Sequence, residues 1–583
     1  MKQTFLYILL ALVVFSGWQC SSKKLEINSL SPNASIRINQ IGYLPQSVKK
    51  AVVIASTSDK FSLVDTTGNI VFSATLEDKG TWDLSDEAVK IADFSYFTST
   101  GTYHLYVEDL GISYPFQIGK SLFGDAYNAS IKAFYLQRAS TAIEEKYAGV
   151  YSHPLAHPDD KCAYHPSSGK KSGFMSSPKG WYDAGDYNKY IVNAGVTVST
   201  MLAFYENYPA LAPDNFLNIP ESGNGVSDLL DEVKYELDWA ETMQDADGGV
   251  FFKLTSMSFS GFIRPEEDLM ERFVVGKSTT SSLNFAAMFA QASRIWKTID
   301  PALAENYLAK AKSAWNWAVK NPAIEFRNPD GITTGGYGHS DFKGDFYWAA
   351  AELYTTTGET EYYDFLKANP VDFSFVPSEN WRNYVKNLGY YALVLPASNL
   401  PEAEKLVIQN AIIAEADIQL ANLEKSPYRQ PLSIFEWGSN SDVLDLGIIF
   451  AQAYNLTKDR KYLDAAIETT DYIFGKNAIG ISFVTGFGST YTMFPHHRLS
   501  AADSIDEPIP GWVAGGPNGN LNDVLSERNP TGVKYNSLKP AGAYMDLLAS
   551  YASNEIAINW NAPLVYMTGF LQSVSEELSE EKK

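Results

Sequence analysis

The feature that most constrains this chain is a change of hydrophobic period near residue 120. Between residue 35 and Lys120 the apolar residues alternate or fall in short runs: Ile36/Ile38, Ala51-Val-Val-Ile54, Phe61/Leu63, Ile70/Phe72, Tyr103/Leu105/Val107 and Tyr114/Phe116/Ile118. Thr67-Gly68-Asn69 and Gly101 punctuate them. A period of two interrupted by turn residues predicts strands, and strands at this spacing predict a β-sandwich over 35–119. From Ser121 onward the period is helical. Three segments repeat a helix, a polar turn and a helix: Phe285–Ala318, Phe346–Leu366 and Leu446–Ile473. The last two align residue by residue, Leu353-Tyr-Thr-Thr-Thr-Gly-Glu-Thr-Glu-Tyr-Tyr-Asp364 against Ala453-Tyr-Asn-Leu-Thr-Lys-Asp-Arg-Lys-Tyr-Leu-Asp464. A helical hairpin cannot bury its apolar face alone, so repeated hairpins predict a solenoid or a closed toroid over 120–583. Three stretches rich in Gly, Pro and aromatics, 145–190, 245–275 and 476–540, interrupt the pattern and are expected to be functional loops.

With 583 residues, 45% of them hydrophobic, the chain can bury a large core. Its 46 Lys and Arg against 68 Asp and Glu leave a net charge of −22, which repels phosphate backbones and polyanionic sugars. That excludes nucleic acid as a partner and favours a neutral one. Residues 1–20 read as an export signal: Lys2, the apolar run Phe5 to Phe15, then Ser16-Gly-Trp-Gln-Cys20. The run is too short to span a bilayer. A cysteine closing such a segment is similar to a bacterial lipoprotein signal, which implies that Cys20 is lipidated and anchors the exported protein to the outer membrane, at the cell surface or its periplasmic face. Trp18 and Gln19 depart from the small residues usual there, and plain secretion is the alternative. Residues 21–34 are expected to form a tether. With Cys20 lipidated, Cys162 is the one remaining thiol and no intramolecular disulfide is possible.

Trp181-Tyr-Asp-Ala-Gly-Asp-Tyr-Asn-Lys-Tyr190 sets two carboxylates three residues apart on a small turn, just before a helical run from Tyr190 to Tyr205. Taken alone, it reads equally well as an Asp-Gly turn with a helix cap. Two further constellations follow. One is Val484-Thr-Gly-Phe-Gly488 with Phe494-Pro-His496-His497-Arg498; the other is Tyr544-Met-Asp546, Tyr551, Glu555-Ile-Ala557 and Asn561-Ala562.

With these residues the chain resembles glycoside hydrolase family 9, inverting β-glucanases built on an (α/α)6 barrel. The Glu555 stretch matches the family's C-terminal signature through Asn561-Ala-Pro-Leu-Val565. The Pro-His496-His-Arg498 segment matches the other signature except at Thr490, where the family usually has Asn, Lys or Arg. Arg37-Ile-Asn-Gln-Ile-Gly-Tyr-Leu-Pro45 is similar to the opening of the immunoglobulin-like domain that precedes the barrel in one branch. The resemblance implies an all-β sandwich followed by an all-α barrel, with Glu555 as general acid, Asp186 as base, and Asp183 helping to hold the attacking water. It also implies that His496, Arg498 and Tyr551 bind substrate; Asp546 matches too but is expected to support local structure, and His497 reads as a structural or surface histidine that points elsewhere. Trp437-Gly-Ser-Asn440 is family-like too. One acid and one base suffice for glycosidic cleavage, and a water gripped by two acceptors is aimed. Glu555 must keep its proton near neutral pH, which desolvation against Ile556, Ile558 or Trp560 could arrange.

His153, His157, Cys162 and His165, with Asp159-Asp160, crowd one stretch as zinc ligands would. Relatives with a structural zinc carry cysteines where this chain has Ala139 and Ala156, so no zinc site is expected. A different site using His157, Cys162 or His165 stays open, as does a structural calcium of unknown position; catalysis requires no cofactor.

The reading that follows is an endo-acting hydrolase, a monomer, of β-1,4-glucosidic bonds in cellulose, xyloglucan or mixed-linkage glucan. An exo-acting β-glucosidase or β-glucosaminidase of the same family is one alternative. A non-catalytic glycan-binding lipoprotein is another, and a polysaccharide lyase on a similar helical toroid is the remaining one. The intact carboxylates argue against a binder, and the acidic charge argues against a lyase of uronic acids.

Overall fold

The computed structural model describes residues 24–377, 384–525 and 532–579. The export signal and Cys20 therefore lie outside the described residues. Ten strands fill 36–118: β1 Ile36–Arg37, β2 Gly42–Tyr43, β3 Lys50–Ile54, β4 Lys60–Asp65, β5 Ile70–Thr75, β6 Glu77–Trp82, β7 Glu87–Asp93, β8 Gly101–Val107, β9 Gly111–Ile112 and β10 Phe116–Ile118. They make two sheets, β1-β3-β7-β6 and β2-β10-β8-β4-β5, with β9 pairing β8. The run Ala51-Val52-Val53 is continuously apolar, not alternating, because its sheet is buried on both faces. Ala51 and Val53 join the sandwich core with Phe61, Leu63 and Leu105. Val52, with Val89 and Ile91 of β7 and Trp82, joins the core of the helical domain.

The segment expected as a tether is shorter than the sequence suggested. From Lys24 the chain already lies along the sandwich: Leu25 N donates to Gly68 O at 2.8 Å and Asn33 Nδ2 to Leu110 O at 3.0 Å. Its backbone and the Asn33 amide find partners on the sandwich, while Lys24, Glu26, Ser29 and Ser31 stay exposed.

Among the described residues, twelve helices of nine residues or more pair off in chain order. They are α1 Gly124–Leu136 and α2 Ile191–Asn207, α3 Asp228–Thr242 and α4 Thr279–Trp296, α5 Pro301–Lys320 and α6 Lys343–Thr357, α7 Thr360–Ala368 and α8 Lys386–Val394, α9 Glu402–Lys425 and α10 Ser439–Thr457, α11 Arg460–Ile473 and α12 Ile558–Ser573. The even-numbered helices form the inner ring. Neighbours α12, α2, α4, α6 and α8 pack in that order and α10 packs on α12; Tyr384 Oη, beside α8, donates to Asp445 of α10 at 2.6 Å. Inner helices such as α4 and α12 are buried nearly all round, whereas α5 and α9 bury one stripe, as expected of an inner and an outer ring. This is the (α/α)6 architecture.

The aligned repeat is real at the level of single bonds. Gly358 and Lys458 both end their helices in the left-handed region, and each N–H bonds a carbonyl four residues back at 2.7 Å. Thr357 and Thr457 each donate to the carbonyl four residues back and accept from the amide two residues on, at 3.1 Å in both hairpins.

Two of the stretches expected as irregular loops contain strands instead. β11 Cys162–Tyr164, β12 Phe174–Met175, β13 Lys189–Tyr190, β14 Phe251–Thr255 and β15 Phe273–Lys277 form a sheet in the order β12-β11-β15-β14-β13. Its strands come from two inserts far apart in sequence, so no single stretch shows the pairing.

Candidate active site

Asp183 and Asp186 occupy a turn that ends in β13 and leads into α2. Asp183 N donates to Asn188 O at 3.0 Å and closes it. Its carbonyls are then taken one by one. Asp183 O accepts from Ile558 N at the start of α12 (2.9 Å), Ala184 O from Gln137 Nε2 (3.0 Å), and Gly185 O from Arg498 Nη1 (2.6 Å). A turn with three successive carbonyls engaged is held in place, which is what aiming a water requires.

The carboxylates are equally well held. Asp183 accepts from Asn193 Nδ2 at 2.7 Å and from Tyr337 Oη at 3.2 Å. Asp186 Oδ2 accepts from Asn188 Nδ2 and from Tyr190 Oη, the latter at 3.2 Å, while Oδ1 takes no bond from the described residues. Burial raises both carboxyls, and the charge of Asp186 pushes Asp183 further. Asp186 is raised less, because the Arg498 cation and the Asn188 and Tyr190 donors favour its ionised form. The two titrate as a unit, and Asp186 is the member its surroundings favour as the anion.

Glu555 arrives from the far end of the chain, extended, between the short helix Tyr551–Asn554 and α12. His496 pairs beside it as a bridge, through His496 N to Asn554 O at 2.8 Å, and Gly515 N donates to Glu555 O at 2.8 Å. Gly185 is where acid and base sides meet. A Cβ there would lie 2.2 Å from His496 O and 3.1 Å from Glu555 Oε1, so only glycine lets the segments close. Burial raises Glu555 well above the usual carboxylate range, and the charges of Asp186 and Asp183 raise it further. The site thus holds an acid biased toward its proton facing a pair supplied with donors.

His496 Nδ1 lies 2.7 Å from Leu548 O, so that nitrogen carries the hydrogen and Nε2 is left as an acceptor. Burial lowers its pKa to about 4, and the ring is neutral. Tyr551 gives its hydroxyl to Asn522 O at 3.2 Å, and its half-buried ring lies 5.4 Å from Trp437 and 6.3 Å from His496. The exposed ring of Phe262 meets His496 edge-on at 5.1 Å. Together they make an aromatic margin to the carboxylates.

Arg498 has a bracing role beside the cleft role that the resemblance implies. It is buried, and besides Gly185 O its Nε and Nη2 both donate to Ser260 O, at 3.1 and 2.9 Å. The planar guanidinium fork bolts the catalytic turn to the 256–264 loop. His497 points away, Nε2 at 3.0 Å from Gln137 Oε1, and so supports the same turn through Gln137. Asp546 accepts from Met493 N and Phe494 N at 2.7 and 2.8 Å and holds the His496 segment.

Asn188, Asn193 and Tyr337 were not foreseen as parts of the site. Asn188 and Asn193 stand beside the paired aspartates, and a buried carboxylate's need for donors could have flagged them. Tyr337 comes from an irregular segment far along the chain and left no signal.

The histidine and cysteine cluster does not fit a zinc ion. Ala139 and Ala156 are buried without a donor atom. Cys162 donates to Asp159 O, and burial pushes its thiol up to about 12. His157 bonds Tyr182 Oη at 2.7 Å, while Asp159 pairs with Lys189 at 2.8 Å and Arg272 at 3.2 Å. Among the described residues no group of three or more His, Cys, Asp or Glu side chains could hold a metal.

The model of the family described as Glycosyl hydrolase family 9 matches residues 123–568, and that of a Cellulase N-terminal ig-like domain matches 31–111. The chain belongs to glycosyl hydrolase family 9. It is therefore a glycoside hydrolase, an immunoglobulin-like domain followed by a family 9 catalytic domain. It is 38% identical over 574 residues to a xyloglucan-specific endo-beta-1,4-glucanase of Bacteroides ovatus, covering 94% of this chain and 95% of that protein. It is 36% identical over 549 residues to Endoglucanase D of Acetivibrio thermocellus, covering 92% and 84%. A solved family 9 structure from Bacteroides ovatus superposes with a TM-score of 0.85 at 36% identity, covering 94% of this chain and all of that one.

Proposed function

We propose that the chain is an endo-acting β-1,4-glucanase that cleaves a soluble glucan with inversion. Glu555 protonates the leaving oxygen, Asp186 takes a proton from water on the opposite ring face, and Asp183 holds that water. The observation that carries this reading is the meeting at Gly185: a proton-biased carboxylic acid closes onto a turn whose two carboxylates are fed by four neutral donors. His496 Nε2 accepts from a sugar hydroxyl, and Phe262, Tyr551 and Trp437 offer ring faces to the glucan. The likeness to a xyloglucan-specific enzyme makes xyloglucan the first substrate to try, with mixed-linkage glucan and cellulose behind it. These steps require no cofactor, and a structural calcium would take no part in them. Residues 1–20 direct export, and Cys20 carries a lipid that holds the monomer at the outer membrane, at its surface or periplasmic face.

The test is product analysis on xyloglucan, barley β-glucan, carboxymethylcellulose and chitosan oligosaccharides, with Glu555→Gln beside it. A ladder of oligosaccharides from one neutral glucan, absent in the variant, is expected. Monosaccharide alone would mean exo action, and binding without turnover in both proteins would overturn the assignment. Radiolabelled lipid incorporation lost in Cys20→Ala is the expected sign of anchoring.

A further inference from the structure

Lys253, on β14, has an unusual position for a cation: its side chain is fully buried, yet it makes no ion pair among the described residues. Its ammonium donates to Asn328 Oδ1 at 2.8 Å, Thr334 Oγ1 at 2.9 Å and Gly335 O at 2.7 Å, and it lies over the rings of Tyr190 (5.4 Å) and Phe326 (5.6 Å). All three oxygen partners belong to one irregular segment. That segment runs directly to the base pair. Gly335 N donates to Tyr190 Oη at 3.1 Å, Tyr190 Oη donates to Asp186 at 3.2 Å, and Tyr337 Oη donates to Asp183 at 3.2 Å. Thr334 Oγ1 also meets Thr255 Oγ1 at 2.7 Å, and Thr255 bonds the Asn188 that holds Asp186.

We propose that Lys253 is a positioning residue for the base pair: it ties the 328–337 segment behind the catalytic turn and supplies a positive charge that none of the pair's hydrogen-bond donors carries. This rests on Asp183 and Asp186 acting as the base pair. An apolar side chain would fill the same space without the cost of burying a charge, so the ammonium needs a reason. The groups around it supply one. Across β14, Tyr190 faces it from β13 and the apolar Val275 from β15. The segment offers the neutral Phe326, Asn328, Thr334 and Gly335, and the charges it feels are those of Asp186 and Asp183. Burial lowers its pKa to about 7, against the pull of those two carboxylates, so below neutral pH it is the cation.

The sign of the effect follows. Arg498 and Arg272 already favour the ionised form of Asp186, and Lys253 adds a further cation on the other side of the pair's hydrogen-bond network, so removing it raises the pH at which the base ionises. In Lys253→Gln, which keeps a donor but not the charge, and in Lys253→Met, the acidic limb of kcat/KM is expected to move up by about half a unit to one unit. kcat should fall about 10-fold with KM little changed. Lys253→Arg should return the limb toward its wild-type position. Asn328→Ala loosens the segment and leaves the charge, and should lower kcat without moving the limb. Circular dichroism checks that each variant is folded; should Met fail to fold, Gln against Arg decides. A limb unmoved in Gln, or moved equally in Asn328→Ala, would overturn the proposal. Asp186→Asn measured alongside keeps the outcomes separate, because wild-type activity there would sink the base assignment itself.

Discussion

The two sides of the catalytic centre use the same chemical group to opposite ends. On the base side, Asp183 and Asp186 sit on a turn whose first three carbonyls are engaged, and each carboxylate accepts two side-chain donors. On the acid side, Glu555 stands in extended chain beside His496, whose ring is neutral, and the amide of Gly185 is the donor that favours its charge. All three carboxyls are raised, Asp183 and Asp186 buried and Glu555 half-buried. Burial therefore does not separate acid from base; the supply of donors and the order of ionisation do. Once the pair carries a charge, that charge holds the proton on Glu555.

The comparison can be broken most completely at the carboxylates. Glu555→Gln and Asp186→Asn should each cost about 10²–10⁴-fold in kcat/KM. They should differ in shape. Activity rises as the base ionises and falls as Glu555 loses its proton, and both transitions lie above the ordinary carboxylate range. Asp186→Asn should remove the acidic limb and Glu555→Gln the alkaline one; loss of the same limb in both would refute the division of roles. Gly185→Ala comes next. Its Cβ would collide with the His496 carbonyl, which is backbone and cannot yield, so the sides are driven apart. A loss of about 100-fold or more, together with a lowered midpoint in urea unfolding, is expected; wild-type turnover would show that the approach is not needed.

Smaller changes sharpen the comparison by touching one side only. Tyr337→Phe removes a donor to Asp183, so kcat should drop about 10–100-fold. The acidic limb should move to higher pH while the alkaline limb stays. An equal shift of both limbs would mean that the hydroxyl serves the whole site and not the pair. Gln137→Met, which releases Ala184 O and removes the partner of His497, is the mildest: about 3–10-fold in kcat, with neither limb displaced, read from the same pH series.

Much of this could be read before any coordinates. The switch of period at residue 120 separates strands from helices because a pleated strand and a helix bury side chains at different intervals. The hairpin alignment reached the turn chemistry itself, since Thr357 and Thr457 cap identical turns with local bonds. Local rules also placed Asp183 and Asp186 on a turn before a helix, and the ordered motifs tied them to Glu555.

What the sequence could not decide was which groups are used up by the protein. Arg498 carries the expected motif, yet each of its three guanidinium nitrogens donates to Gly185 or Ser260, two carbonyls from distant segments that only the closed barrel mouth brings together. The strands hidden in the inserts, the Tyr337 hydroxyl on Asp183 and the buried Lys253 behind it belong to the same class. Period and local capping depend on near neighbours and are written along the chain; donor and acceptor pairing across hundreds of residues depends on where the helices close, so tertiary structure alone settled it.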